Sequence, residues 1–527
     1  MKGRPNVLFL MTDQHRLDHT GFGGNDVVTT PNLDGLAARS VSFTNAFANN
    51  PICMPNRATI LTGRMPSVHG TRYNGISLDW NAATFVRELR RVGYRTGLVG
   101  KAHFQNMGNG KPMIDLLRQS WPERGAIEPH LPDGWDLLEN EDRYRQGEVE
   151  FPEDFYGFED VNLAVGHADV VSGHYLRWLL DQGVDPATHQ GPQPGRPGDP
   201  HWWQLWQSSL PPDLHPTGYI GAQACRWLEE AASANAPFFL QCSFPDPHHP
   251  FAPPDPYWSM YDPADMELPP TFDDPHLTSV PHLRQWRDGR GDDPPLIPVI
   301  PFAPTETLYR HAAAKEYGSI TFLDETIGSV LKTLERTGLA DNTIVVFTSD
   351  HAEMFGDHGL MLKGAMHYRP ALRVPLLIAL PPPSSPTAGS PVTCSSLVGS
   401  IDLARTLLEL TGVAPFEGMD GMSLTPLLDD PTMSLRHQLL VEEDEPFDLA
   451  MTGAPLRMRT LLTPEARLTT YVGTERGELF DLTGDPDELR NSFEDPNYRR
   501  LRGDLFERLA GELAAIDDTG TMPTYAA

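Results

Sequence analysis

Asn342-Thr343-Ile344-Val345-Val346-Phe347-Thr348-Ser349-Asp350-His351 is a β-branched apolar run that stops at an acid and an imidazole. Apolar residues at consecutive positions mark a parallel strand buried on both faces. Asn6-Val7-Leu8-Phe9-Leu10-Met11 repeats the design and leads into Thr12-Asp13-Gln14. Arg95 to Gly100 delivers Lys101-Ala102-His103-Phe104, and Pro237 to Phe244 delivers Pro245-Asp246-Pro247-His248-His249-Pro250. Residues just past the C-terminal ends of parallel strands stand at the ligand crevice of an open α/β sheet. Four such strand ends favour one site at one sheet edge. Each also has a plain reading: Asp13 as a turn cap, Lys101 and His103 as surface residues, His248 and His249 in a rigid Pro-rich loop.

Working outward, the stretch Asn50 to Gly70 faces those ends. Arg57 to Thr62 reads as a short helix stopped by Gly63, with Pro55 in its first turn, where a missing N–H costs nothing. Cys53 then stands at a helix N-terminus, where free N–H groups and the dipole favour negative charge. Arg57 adds a fixed cation one turn away. A lone cysteine is also commonly a small buried hydrophobe. A zinc site lacks a nearby second cysteine, since the next is Cys225. A thiolate phosphatase loop needs five residues between Cys and Arg, and here three intervene.

The 527 residues suffice for a large domain and a smaller one. With 41 Lys and Arg against 71 Asp and Glu, the net charge of −30 argues against nucleic-acid binding, though local cations and a metal can reverse the field in one cleft. The four cysteines are too scattered for a disulfide framework. No apolar run long enough to cross a membrane and no leader is visible, so the expectation is a cytoplasmic protein without nucleic-acid or membrane partners.

Helical patterns cover Thr30–Ala37, Thr84–Val92, Thr217–Ala232 with Thr217 as cap, Glu306–Thr337 and Ser400–Thr411; Val161–Leu180 also reads as a helix. Asn74-Gly75 is a turn signal, and Asn74 alternatively faces the site. The aromatic run His201 to Trp206 lines a pocket or packs a lid. Past Gly421, His437–Val441, Met458–Leu462, Leu468–Val472 and Glu478–Leu482 alternate like antiparallel strands, and Tyr498–Ile516 closes as an amphipathic helix.

Cys53-Met54-Pro55-Asn56-Arg57 with Leu61-Thr62-Gly63-Arg64 resembles the type I sulfatase signature, Cys-x-Pro-Ser-Arg followed by Thr-Gly-Arg; Asn56 stands where Ser is usual. The resemblance extends through Gly100-Lys101-Ala102-His103, His248-His249-Pro250, Ser349-Asp350-His351, Gly356-Asp357-His358-Gly359, Lys363 and Arg373-Val374-Pro375-Leu376, nearly the whole chain. The Asp13-Gln14 and Asp350-His351 pairs are similar to the choline sulfatase and phosphonate monoester hydrolase branches.

This resemblance implies an alkaline-phosphatase-like α/β fold: a large, mostly parallel sheet flanked by helices over 1–420, and a smaller C-terminal α+β domain with an antiparallel sheet over 421–527. It implies that a maturation enzyme oxidises Cys53 to formylglycine, whose hydrate is the nucleophile. One divalent ion, Ca²⁺, Mn²⁺ or Mg²⁺, would bind Asp13, Gln14, Asp350, His351 and residue 53. Arg57, Lys101 and Lys363 would hold the ester oxygens, His248 or Lys363 would serve the leaving oxygen, and His103 would take a proton from the hydrate. The implied activity is hydrolysis of small anionic sulfate esters. Phosphonate monoester or phosphodiester hydrolysis is the alternative, and a non-catalytic anion-binding relative is more distant. The tail after Asp517 is expected to reach a neighbouring subunit.

Overall fold

Strands that are apolar at every position need cover on both faces, and helices supply it here. The computed structural model describes residues 4–108, 134–234, 236–291, 294–297, 299–382, 391–445, 448 and 452–516. Its strands run β1 (Asn6–Thr12), β2 (Val41–Phe43), β3 (Ala46–Phe47), β4 (Arg95–Gly100), β5 (Asp160–Val165), β6 (Ser172–Gly173), β7 (Phe238–Ser243), β8 (Thr343–Ser349), β9 (Leu376–Ala379), β10 (Val392–Cys394) and β11 (Val398–Gly399). Nine of them form one sheet in the order β10-β2-β9-β8-β1-β7-β4-β5-β6, with β8, β1, β7, β4 and β5 mutually parallel. The register sets Thr12 beside Ser349, Met11 beside Ser243 and Ser243 beside Gly100, so the strand ends are level.

Alternate residues of β1 divide between two cores. Val7, Phe9 and Met11 pack with Phe85, Leu89, Leu403 and Leu407 on one face. Leu8 and Leu10 pack with Ile220, Leu228, Leu323 and Ile327 on the other. The second face rests on the helix Pro216–Ala231 and the 31-residue helix Glu306–Arg336. Truncating a large aromatic such as Phe9, wholly buried on the first face, typically costs about 3–5 kcal/mol.

Four further strands, β12 (Leu439–Asp444), β13 (Arg457–Leu462), β14 (Ala466–Tyr471) and β15 (Gly477–Asp481), make an antiparallel sheet in sequence order. The helix Arg499–Ala515 packs on it through Leu505 and Leu509. The expected tail after Asp517 and most of the Pro381–Pro391 loop lie outside the described residues.

Three local expectations are corrected. Val161–Leu180 is not one helix: its start is β5, paired with β4, and a helix begins only at His174. Gly166 and Gly173 break it, both at positive φ (116° and 84°), and a Cβ on Gly173 would meet the Leu163 carbonyl oxygen at 2.6 Å. The helix expected at Arg57 begins at Cys53 and runs to Thr62, with Gly63 left-handed at its end. Pro55 is its third residue, still among the four whose N–H has no helical partner. The cap of Pro216–Ala231 is His215, whose Nδ1 accepts from the Thr217 N–H at 3.3 Å; the Thr217 hydroxyl instead donates to Asp246.

Candidate active site

Level strand ends put polar residues side by side. Asp13 and Gln14 follow β1, Lys101 and His103 follow β4, His248 and His249 follow β7, and Asp350 and His351 follow β8. The Cys53–Thr62 helix points its first turn at them. Ligand atoms of Asp13, Cys53, Asp350 and His351, all four buried, lie within 4.8 Å of one another. Cys53 Sγ is 3.0 Å from His351 Nε2 and 3.8 Å from Asp13 Oδ1.

Arg57 braces this floor. Its Nε donates to Asp350 Oδ2 at 2.7 Å, Nη1 donates to the Lys101 carbonyl and to Ser243 Oγ at 3.0 Å each, and Nη2 is 3.5 Å from Asp13 Oδ2. Nη2 is the guanidinium nitrogen left without a hydrogen bond. Asp350 Oδ1 also accepts from the N–H groups of Gln14 and His351, at 3.2 and 2.9 Å. Asn56, at the position where Ser is usual, is fully buried. Its Oδ1 accepts from Ser400 Oγ at 2.7 Å and its amide donates to the Asp350 carbonyl. Asn74 is exposed, and its Oδ1 accepts the Met54 N–H at 3.1 Å, satisfying one free donor of the helix start.

Two lysines reach the site, each against one of two stacked histidines. Lys101, wholly buried, donates to Asp13 and lies 2.6 Å from His167 Nε2. Lys363, partly exposed, donates to Gln14 Oε1 and lies 2.8 Å from His248 Nε2. Gln14 Nε2 in turn meets His249 Nδ1 at 3.0 Å. The rings of His167, His248 and His249 stack in a ladder with centroids 3.9 and 4.2 Å apart.

His167 and Glu139 escaped the sequence reading. His167 follows β5, the strand misread as helix, and a strand reading of Asp160–Val165 would have exposed it as a fifth strand-end residue. Glu139 gathers the N–H groups of His103, Phe104 and Gln105 at 2.5, 2.8 and 2.9 Å. It thereby holds the Lys101–Gln105 loop in shape, including His103 at φ 56°. Burial outweighs those three bonds and pushes its carboxyl up to about 7. No local pattern marks Glu139, because its partners come from the Lys101–Gln105 loop, distant in sequence.

The electrostatics are those of an anion site. Burial pushes Asp13 upward, but Lys101, His351 and Arg57 hold it well below the usual carboxylate range. Burial, with Lys101 and Arg57, drives His103 well below an ordinary imidazole; burial and Lys101 do the same to His167, and burial, His167 and Lys363 to His248. These three are neutral bases beside ammonium groups. His351 runs the other way: burial lowers it, yet Asp350 and Cys53 push it up to about 9. Burial and Asp13 raise the Cys53 thiol, and Lys363, His351 and Lys101 bring it below its ordinary value.

With this geometry in view, the Sulfatase family profile matches residues 5–413. The chain belongs to the sulfatase family. A second profile, the C-terminal region of N-sulphoglucosamine sulphohydrolase, matches residues 356–514. An arylsulfatase of Clostridium perfringens is 28% identical over 98% of this chain and 96% of its own length. A choline-sulfatase of Rhizobium meliloti is 27% identical over 94% of this chain and 83% of its own. A phosphonate monoester hydrolase from Silicibacter pomeroyi superposes with a TM-score of 0.78 at 26% identity, covering 98% and 96% of the two chains. This sulfatase-family chain is therefore a hydrolase of the alkaline phosphatase superfamily, and its sheet is that superfamily's fold. No described helix is long and apolar enough to cross a membrane.

Proposed function

We propose that this protein hydrolyses sulfate monoesters with residue 53, as formylglycine, for its nucleophile and one divalent ion beside it. The single observation that carries this reading is the side chain of Cys53, buried at a helix start among two carboxylates and three fixed cations. A divalent ion fits the donor set: one oxygen each from Asp13 and Asp350, an imidazole nitrogen from His351 and the side chain at 53. Gln14 joins as an oxygen ligand if its carbonyl exchanges its present bond to Lys363. When bound, such an ion supplies positive charge against the ester oxygens and acidifies a hydroxyl nucleophile.

The remaining roles fall to side chains. Arg57 keeps both carboxylates aimed, with Nη2 in reserve for an ester oxygen. Lys101 and Lys363 donate to the non-bridging oxygens, where charge must be held in the transition state. His248, bonded to Lys363, lies at the side of the leaving oxygen. His103 has a free, neutral Nδ1 to accept a proton, and the surroundings that keep it neutral also limit its basicity. His167 positions Lys101. Asn74 serves the site through the helix start and lies on its exposed side.

Only Asp13 and Asp350 bring formal charge to the ion, because Gln14 and His351 stand where acids would raise the count. That surplus of positive charge holds an anion without selecting its ester type, so phosphonate monoesters and phosphodiesters, monoanions like a sulfate monoester, enter the same site, a second reading supported by the phosphonate monoester hydrolase superposition. One preparation tests both. Mass spectrometry of the Cys53 peptide reads its conversion, and kcat/KM is compared across sulfate, phosphonate, phosphodiester and phosphate monoester substrates. Sulfate esters are expected to lead and phosphate monoesters to trail. A phosphate monoester that outruns all three monoanions would refute the sulfatase reading in favour of a phosphatase, and an unconverted, inactive Cys53 would leave a binding protein.

A further inference from the structure

A second donor set lies outside the strand-end site. One nitrogen each from His201 and His311 and one oxygen from Asp199 lie within 4.8 Å of one another. Asp199 and His201 belong to a short hairpin. Gly198 bridges Trp206 antiparallel, the Asp199 N–H donates to the Leu205 carbonyl at 3.0 Å, and the Gln207 N–H donates to the Pro197 carbonyl at 2.9 Å. Leu205 bridges Phe251, tying the hairpin to the loop that carries His248 and His249. His311 stands in the second turn of the Glu306–Arg336 helix.

The carboxylate is aimed before any ligand arrives. Asp199 Oδ1 accepts the His201 backbone N–H at 2.9 Å, and Oδ2 is 2.5 Å from His311 Nδ1. The two imidazole rings have centroids 4.6 Å apart. Neither ring nitrogen of His201 has a hydrogen-bond partner among the described residues. The Asp199 side chain is 6% exposed and that of His311 28%, so the set is deep on the carboxylate side and open on the imidazole side. Among the described residues His311 is the sole ion-pair partner of Asp199. Lys315, one turn along the helix, gives its ammonium to the Trp258 carbonyl at 2.9 Å and to the face of the Trp258 ring. The nearly buried carboxylate is therefore in contact with two imidazoles, while the Lys315 ammonium, bonded to Trp258, feels its charge from beyond ion-pair distance.

We propose that Asp199, His201 and His311 bind one transition-metal ion of the zinc type, separate from the ion beside residue 53. Two imidazole nitrogens and one carboxylate oxygen suit Zn²⁺, whereas Ca²⁺ and Mg²⁺ take oxygen sets. Water completes the coordination on the open side. The ion fastens the hairpin to the long helix. Trp202 of that hairpin is buried against His249 and Phe302, with centroids 6.1 and 5.6 Å away, so the fastening also stiffens a wall next to the active site.

The test uses the full chain without a histidine tag. Protein saturated with Ca²⁺ is dialysed against ZnCl₂, freed of unbound metal, and its zinc is counted by plasma mass spectrometry. The wild type is expected to retain one equivalent more than His201→Ala and than Asp199→Asn. Zinc is also expected to raise its unfolding midpoint by several degrees more than that of His201→Ala, as mass action requires of a ligand of the folded state. Circular dichroism checks the fold of both variants; His201 lies on a half-exposed loop, so its loss leaves the core intact. Equal zinc counts in wild type and His201→Ala overturn the proposal. So does a zinc-induced shift that survives in His201→Ala. Sulfate-ester turnover recorded on the same samples reports separately on the strand-end site.

Discussion

Two of the buried charge clusters among the described residues are built to opposite ends. In the antiparallel sheet, Arg467 on β14 is fully buried between Glu488, at 2.5 Å, and Glu478, at 3.5 Å, with its guanidinium over the rings of Phe480 and Tyr368 at 4.5 and 5.0 Å. Thr469 and Tyr471 add hydroxyl contacts of 2.8 and 2.9 Å, and the Arg369 N–H closes on Glu488 at 2.8 Å. One cation here serves two carboxylates away from solvent, with only Arg467 Nη2 and Glu478 Oε1 left without a hydrogen bond. At the strand ends the balance is reversed: Asp13 and Asp350 face Arg57, Lys101 and Lys363, and one side stays open through Lys363 and His167. Burial is common to both. A surplus of cations with an opening is what makes a place for an anion.

The comparison breaks most sharply at Cys53. Cys53→Ala is expected to lower turnover by more than about a thousandfold while leaving the unfolding midpoint within a few degrees, since the change removes the proposed nucleophile. Wild-type-like turnover would remove the distinction between the clusters. Asp350→Asn should cost activity and bound divalent metal in parallel, on the order of a hundredfold or more in kcat/KM. Metal analysis beside kinetics decides it, and activity indifferent to both the change and to chelators would mean no ion acts here.

Arg467→Ala carries the opposite signature. Removing one partner strands two buried glutamates and should cost about 3–5 kcal/mol of stability, read by denaturant unfolding, with kcat unchanged in the protein that remains folded. His167→Gln sharpens the open side. It keeps a polar partner for Lys101 but loses the ring that stacks on His248, and kcat is expected to fall on the order of tenfold with KM nearly constant. A KM effect alone would make His167 a substrate contact instead of a positioning residue.

The smallest effect is a pH dependence at the edge of the antiparallel sheet. Burial pushes Glu445 up to about 8, although the Leu456 N–H, at 2.8 Å, works against the shift. A carboxyl whose folded value is raised keeps its proton in the native state after the unfolded chain has released its own. Stability therefore falls as pH rises from about 4.5 to about 8. Glu445→Gln should remove that fall and stabilise the protein by about 2 kcal/mol at pH 8, with little change at pH 4. Parallel unfolding curves for the two proteins across that window would show that Glu445 titrates normally.

Much of this was legible in the chain. The runs Asn6–Met11, Phe238–Phe244 and Thr343–Ser349 are mostly apolar at consecutive positions, and Arg95–Gly100 carries Leu98-Val99 between glycines, local patterns of buried strands. Each run therefore points to the polar residue just beyond its end: Asp13, Lys101, His248 and Asp350. Pro55 and Gly63 framed the Cys53 helix through backbone preferences that need no partner, although the helix starts four residues earlier than its pattern suggested. Pairing supplied the rest. Asp160–Val165 is interrupted by Asp160 and Asn162, and its place beside β4 makes it a strand and carries His167 into the site. The three N–H groups on Glu139 exist because the Lys101–Gln105 loop turns back on it. The demands on Arg57 come from β8, β4 and β7 together. Residue types and their spacing announce which strand ends carry chemistry, because burial and helix starts are written in local patterns; which charges meet, and whether their cluster is closed to solvent or open, depends on strand order and burial, which exist only once distant segments have paired.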